Sequence, residues 1–308
     1  MNENLHQEAL NQSPAEIVKT LIDLMAIEQI DGDIYRGPIT NEPWMRVFGG
    51  QVVSQALMAA CHTVEDDRLP HSLHAYFVRP GDPKLPIIYD VSRDRDGKSF
   101  SSRRVVAKQG GTPILNLSCS FQTQEEGLHH QFSMPDVVGP ENLKSETQLV
   151  IDVLNGPPSY SQQSALANRQ HLLRPRPIEF RPINQDRYLS LKKGEPAHCF
   201  WFKAIAPLPR DQNLHRVLLA YASDMMLLST ALLPHGVSWH QQKMQVASLD
   251  HALWMHEDFW LDEWLLYALE APWSGGARGM NRGLVYTADG KLVASVAQEG
   301  LIRQHSEA

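Results

Sequence analysis

Two rhythms of hydrophobic and polar positions alternate along this chain. Ser13-Pro14-Ala15-Glu16 has the form of a capping box with proline in the first turn. Ile17, Leu21, Leu24 and Met25 then recur at helical spacing. This predicts a helix ending near Ile27. GDIYRGPI, from Gly32, predicts a strand running into a turn. FGGQVVSQALMAACHTV, residues 48–64, predicts a helix entered through Gly49-Gly50, with a small apolar face of Val52, Val53, Ala56, Ala59 and Ala60 suited to lying on a sheet. The rhythm then changes to short β-branched and aromatic runs, SLHAYFVRPGD, PIIYDVSRD, FSSRRVVAKQ and ILNLSCSFQ. Gly-Asp, Asp-Gly and Gly-Gly separate them, which predicts antiparallel strands.

From about 126 to 195 the patterning fades and proline density rises, in MPDVVGP, NGPPSY and RPRPIEFRP, around a predicted helix at 145–155. The two rhythms then return in the same order. HCFWFKAI (198–205) alternates like a strand, and a long helix is predicted over 214–233. VASLDHALWMH, EWLLYALEA, GLVYTAD and KLVASVAQEGLIR predict strands, with ADGK (288–291) as a hairpin turn. Particular residues recur too. Ser72-Leu73 and Ser248-Leu249 each open a strand. Arg103 stands eight residues before Gly111, and Arg282 eight before Gly290. An offset near 176–179 is too long for a solenoid period and points to one duplicated α+β module. Antiparallel strands wrapping one long helix form a hotdog, and two copies form a double hotdog. The expected division is a first module over 1–125, a structured linker over 126–195 and a second module over 196–308.

Composition narrows the function. The chain of 308 residues carries 28 basic and 35 acidic side chains, a formal charge of −7, which argues against general nucleic-acid binding. Cys61, Cys119 and Cys199 are odd in number and far apart. No disulfide framework or zinc site is expected, and a reducing, cytoplasmic setting is. The N-terminal stretch shows no signal peptide, and HSEA at the end is not the peroxisomal address. The apolar run Val217–Leu233 is about 17 residues, short of the ~20 of a membrane span. It reads as a buried helix rather than a span. One residue in it does not fit: Asp224, in YASDMMLLST, puts a carboxylate in a segment built for burial, where an unpaired charge costs several kcal/mol.

The blocks FGGQVVSQAL, SLHAYFVRPGD, GKSFSSRRVVAKQGG, SCSFQ, YASDMMLL, LDHALWMH, EWLLY and DGKLVASVAQEG, in this order, resemble the acyl-CoA thioesterase II family from about Ile30 to Arg303. The resemblance implies a double hotdog that hydrolyses fatty acyl-CoA to free acid and CoA. It also implies catalytic residues: the Asp of YASD is Asp224 and the Gln of VAQEG is Gln298. The family's Thr falls where this chain has Ser248, which keeps the hydroxyl and loses the methyl. In that role Asp224 is the general base for a water, with Ser248 and Gln298 holding both in place. A covalent acyl-Asp route stays open beside it. Backbone N–H groups at Gly50 and Gln51 are candidate oxyanion donors, or the glycines merely allow close packing. Arg103, Arg104, Arg278 and Arg282 are candidates for the CoA phosphates, or surface ion pairs. His71, His74, His251 and His256 form no metal-site pattern, and no cofactor is expected. His71 or His251 could sit near the site, and a satisfied structural histidine is the preferred reading of each.

Three rival readings are weaker. An α/β-hydrolase needs GxSxG, which is absent. A hotdog enoyl-CoA hydratase pairs the helix Asp with a His at the position held here by Ser229. A non-catalytic acyl-CoA-binding protein would need no base. A homo-oligomer, dimer or tetramer, is expected because double hotdogs leave sheet edges and faces to pair.

Overall fold

The computed structural model describes residues 12–39, 46–157, 159–187, 189, 192–238 and 244–305. The first eleven residues, on which the expectation about a signal peptide falls, and the last three lie outside the described residues.

Helix α1 (Pro14–Met25) has the predicted cap. The Ser13 hydroxyl accepts from the Glu16 amide, the Glu16 carboxylate accepts from the Ser13 amide, and Val18, Leu21 and Met25 are buried. Strands β1 (Glu28–Asp31) and β2 (Ile34–Gly37) follow. The predicted single strand is thus the second arm of a hairpin that turns at Gly32, with φ 44°. Helix α2 (Gly49–Cys61) leads to β3 (Arg68–Phe77), β4 (Ile87–Asp96), β5 (Phe100–Gln109) and β6 (Thr112–Thr123). Three short helices come next: α3 (Glu146–Asn155), α4 (Tyr160–Ala167) and α5 (Arg169–Leu172). Then β7 (Ile178–Pro182) and β8 (Ala197–Ala204) precede α6 (Gln212–Ser223) and a 3-10 segment (Leu228–His235). Strands β9 (Met244–Ser248), β10 (Asp250–Met255), β11 (Leu265–Gly275), β12 (Arg278–Thr287) and β13 (Leu292–Gln304) complete the chain.

The predicted helix over 214–233 is two pieces. Helix α6 ends at Ser223, and Met226 takes a left-handed φ of 64° before the 3-10 segment begins. Asp224 is therefore the residue that caps α6, not a mid-helix interruption. The apolar residues of the run, including Val217, Leu218, Leu219 and Ala220, are spent on the core.

The strands form one antiparallel sheet in the order β1-β2-β4-β5-β6-β3-β10-β13-β12-β11-β8-β7, with β9 pairing β13 at the side. Read outward from the centre, each half has the same sequence of strands. The halves meet where β3 pairs β10, with Leu73 opposite Leu253. Strand β7, inside the segment read as linker, pairs β8, so the second module's ladder begins at Ile178. The helices α2 and α6 lie against one another in the concave interior. Their directions are opposed, because Gly50 abuts the Tyr221 carbonyl while Cys61 at the other end feels the Asp211 charge. A single core containing Val53, Leu57, Leu218, Leu253 and Val296 runs through both halves.

The internal repeat is real, but its register differs from the arginine match. Strands β5 and β12 share an alternation of burial when Arg103 is set on Asn281, both buried, and Arg104 on Arg282, both exposed. The neighbouring strand agrees: Arg103 lies opposite Cys119 and Asn281 opposite Gln298. Likewise Ser248 faces Gly300 while Pro70, not Ser72, faces Phe121. A one-residue shift turns a strand side chain to the other face, so matching letters without the ladder pairs the wrong residues.

The middle of the chain is a cover. Met134, Val137 and Leu143 pack on Trp201, Leu266 and Tyr286 on the outer face of the second half. Polar bonds fasten it there. The Gln131 amide bridges Gly290 and Leu292 across the last hairpin, and Trp201 Nε1 donates to the Val138 carbonyl at 2.8 Å.

Candidate active site

Asp224, Ser248 and Gln298 are 24 and 74 residues from the first to the others, and the fold brings them together. Gln298 Nε2 donates to Asp224 Oδ1 at 2.6 Å, and Ser248 Oγ donates to the same oxygen at 3.4 Å. Each is delivered by a local feature. Asp224 is presented by the end of α6. Gln298 points inward from β13 and is 1% exposed. Ser248 ends β9 at a break in the strand. There Leu249 donates to Glu299 on β13 and accepts from Phe77 on β3, and the chain passes from one sheet partner to two.

A carboxylate at a helix C-terminus faces the negative end of that helix's dipole. Here the opposing helix compensates. The N-terminus of α2 lies against the carboxylate so closely that a Cβ on Gly49 would stand 2.8 Å from Asp224 Oδ2. A Cβ on Gly50 would stand 2.5 Å from the Tyr221 carbonyl oxygen. The two glycines let one helix terminus rest on the other, and this packing sets the N-terminal end of α2, where a helix favours negative charge, beside the acid. Gln51 does not share that role, because its N–H turns back onto the Phe48 carbonyl at 3.1 Å.

His251, fully buried, adjoins the site. Its Nδ1 lies 3.3 Å from Gln298 Nε2, and its Nε2 lies 2.9 Å from Ser223 Oγ. The Ser223 hydroxyl also donates to the Ala220 carbonyl, and the Tyr267 hydroxyl donates to the Ser223 carbonyl at 2.9 Å. Burial lowers the His251 pKa against the pull of Asp224 and Asp250. Burial first, and Asp224 second, raise that of Tyr267. Gln298 Oε1 is buried with no protein partner. The sequence offered His251, like His71, as a residue that could sit near the site, with a satisfied structural histidine as the preferred reading. Its one usable signal was its place three residues after Ser248, which puts it beside Gln298 once β10 and β13 pair.

The four arginines are not gathered at one point. Arg103 is 1% exposed. Its guanidinium bonds Thr63 Oγ1 and carbonyl, Asp96, and the Arg95 and Ser102 carbonyls, which corrects its reading as a phosphate contact. Arg104 pairs with Asp94 at 3.7 Å, Arg278 with Glu299 at 3.5 Å, and Arg282 with Glu270, all at the surface. Ser229, the position a hydratase would fill with histidine, is spent on the Met226 carbonyl.

Comparison with known proteins decides the family. A family model described as acyl-CoA thioesterase matches residues 176–301, and one described as acyl-CoA thioesterase N-terminal domain matches 40–122. The chain belongs to the acyl-CoA thioesterase family. It is 42% identical to acyl-coenzyme A thioesterase 8 of Homo sapiens, over 94% of this chain and 91% of that protein. It is 39% identical to acyl-CoA thioesterase 2 of Haemophilus influenzae, over 94% and 99%. Among solved structures, an acyl-CoA thioesterase II from Mycobacterium marinum superposes with a TM-score of 0.74 at 37% identity, covering 92% of this chain and 98% of that one. The double hotdog architecture is that of these family members.

Proposed function

We propose that this protein hydrolyses fatty acyl-CoA thioesters, with Asp224 as general base. The observation that carries this reading is the Asp224 carboxylate, held by Gln298 and Ser248 at the junction of the two modules and faced by the N-terminus of α2. A water beside Asp224 Oδ2 loses a proton to the carboxylate while its oxygen attacks the thioester carbonyl carbon. The negative charge on the carbonyl oxygen falls to N–H groups of Gly49 and Gly50 at the α2 terminus. The C–S bond then breaks, the thiolate takes the proton back from Asp224, and fatty acid and CoA leave. The unpartnered Gln298 Oε1 favours water attack over an acyl-Asp intermediate. A water needs an acceptor for its second hydrogen, whereas a nucleophilic carboxylate does not.

The phosphates of CoA fall to exposed arginines. Arg282 faces Ala297, one rung along the ladder from the Asn281–Gln298 pair, and Arg278 faces Leu301, three rungs away. The three free cysteines suit a cytoplasmic setting. Exposed Tyr76 and Trp254 near the central β3–β10 joint favour a homo-oligomer.

The test is release of free CoA from octanoyl-, palmitoyl- and short-chain acyl-CoA. Asp224→Asn should lower kcat at least a hundredfold. Full release by that variant would remove the mechanism, and acyl-CoA binding without release by wild type would point to a non-catalytic binder.

A further inference from the structure

The proposal that follows rests on the hydrolytic reading of the Asp224 site. Gln298 must present its amide one way round. Were it flipped, its oxygen would stand 2.6 Å from the Asp224 carboxylate oxygen, two acceptors in contact, so the carboxylate selects the orientation with Nε2 toward it. The same Nε2 carries a second hydrogen, and its neighbour is His251 Nδ1 at 3.3 Å. An amide N–H can only donate, so Nδ1 must accept. The imidazole proton is then on Nε2, which donates to Ser223 Oγ at 2.9 Å, and that hydroxyl passes its own hydrogen to the Ala220 carbonyl at 3.2 Å. Every donor in the relay has an acceptor, and the one atom left over is Gln298 Oε1.

We propose that His251 is a positioning residue for catalysis: its neutral Nε2–H tautomer locks the Gln298 amide so that Nε2 holds Asp224 and Oε1 is the acceptor for the attacking water. The groups facing the ring agree with a neutral imidazole. Asp224 comes from the end of α6 and Asp250 from its own strand, Gln298 from β13, and Ser223 from α6, braced by Tyr267 of β11. Burial outweighs the two carboxylates and keeps the ring uncharged. The other module shows what the relay is for. The residue equivalent to Gln298 there is Cys119, whose Sγ reaches only the Arg103 carbonyl, and the strand residue opposite Cys119 is Leu73, where the second module has His251. The half without the amide also lacks the imidazole.

Three variants separate positioning from packing. In His251→Asn the side-chain oxygen takes the place of Nδ1 and can still accept from Gln298. In His251→Gln the amide reaches only the Nε2 end, toward Ser223. His251→Leu keeps neither bond. The expected result is a kcat at least thirtyfold down for Leu and Gln with KM within threefold, and recovery to at least a tenth of the wild-type kcat for Asn. A role in packing alone predicts equal kcat for Asn and Gln, and that result overturns the proposal. So does a kcat for the Leu variant within threefold of wild type. A measurement on the unaltered protein stands in if the variants fail to fold. In 15N spectra, with the His251 signals located by their loss in one variant, Nδ1 should be unprotonated and Nε2 protonated at pH 7. The opposite tautomer, or an imidazolium, overturns the proposal. Asp224→Asn measured alongside keeps the two readings apart. If Asp224 is required and His251 is not, only the positioning role fails. If wild type releases no CoA, the hydrolytic reading fails, and the spectrum still decides the tautomer.

Discussion

At the scale of single residues, the site depends on which side chains are partnered. Ser248 stands 3.4 Å from Asp224 Oδ1, at the long end of a hydrogen bond, while Gln298 stands at 2.6 Å. The two variants should differ accordingly. Ser248→Ala should lower kcat about tenfold and Gln298→Ala considerably more, and Ser248→Thr should keep or raise activity because the added methyl stiffens χ1. Steady-state kinetics with one acyl-CoA checks the order, and equal losses for the two alanine variants would contradict it. Arg103 shows the converse. It looked like a ligand contact, yet its donors are committed to Thr63, Asp96 and two further carbonyls. Arg103→Ala should cost about 2–4 kcal/mol of stability by denaturant unfolding, because buried acceptors lose their donor, and leave KM for acyl-CoA unchanged. A raised KM with unaltered stability would restore the ligand role.

At the scale of elements, the decisive event is the meeting of two helix ends. The sequence indicated two buried helices, each in its own module, and the Gly49-Gly50 entry to the first. It could not show that the glycines were chosen by the other helix, because the Tyr221 carbonyl is 171 positions away. Gly50→Ala places a methyl 2.5 Å from that carbonyl oxygen and against the Phe48 ring. Separation of the helix ends should cost about 1–3 kcal/mol and lower kcat, since α2 moves from the carboxylate. Gly110→Ala is the control at a turn with no neighbour within 4 Å, where the strain of a φ of 54° acts without any effect on the site. The long helix broken at Asp224 belongs to the same scale. Residues 224–233 are apolar enough to continue a helix. The turn at Met226 and the bond from Ala231 to the buried Asn281 of β12 pull the chain onto the sheet instead.

At the scale of the whole molecule, two halves share a sheet and a core. The stretch 124–139 is without regular structure and carries Glu125 and Glu126 at its exposed start. A glutamate-specific protease should cut there. The two fragments should still co-elute on gel filtration, held by the β3–β10 ladder and by α2 against α6. Separation without denaturant would show that the joint is weak. The molecule should also be acid-sensitive well before its carboxylates titrate. Burial lowers the pKa of His62, His71, His215, His251 and His256, and takes that of His198 down to about 4. The unfolded chain binds these protons from about pH 6.5 downward and the folded one resists. The stability is complete above pH 6.5 and is lost as pH falls toward 4. Thermal midpoints across that window should decline, and His198→Phe, packed on Phe200, should make the decline shallower.

The sequence by itself determined the elements and their order, because hydrophobic periodicity and turn residues are local properties. It determined the duplication as well, and a family resemblance specific enough to name Asp224, Ser248 and Gln298. Which residues of the repeat correspond was left to the tertiary structure, since strand register is a relation between chains of atoms far apart in sequence. Arg103 matches Asn281, not Arg282, only once the ladders are known. The same holds for His251, which acquires a role from Gln298 on a neighbouring strand, and for Gly49 and Gly50, which are required by the end of another helix. Hydrogen bonds and close contacts of this kind are set by distance in space, and the spacing of letters along the chain does not carry it.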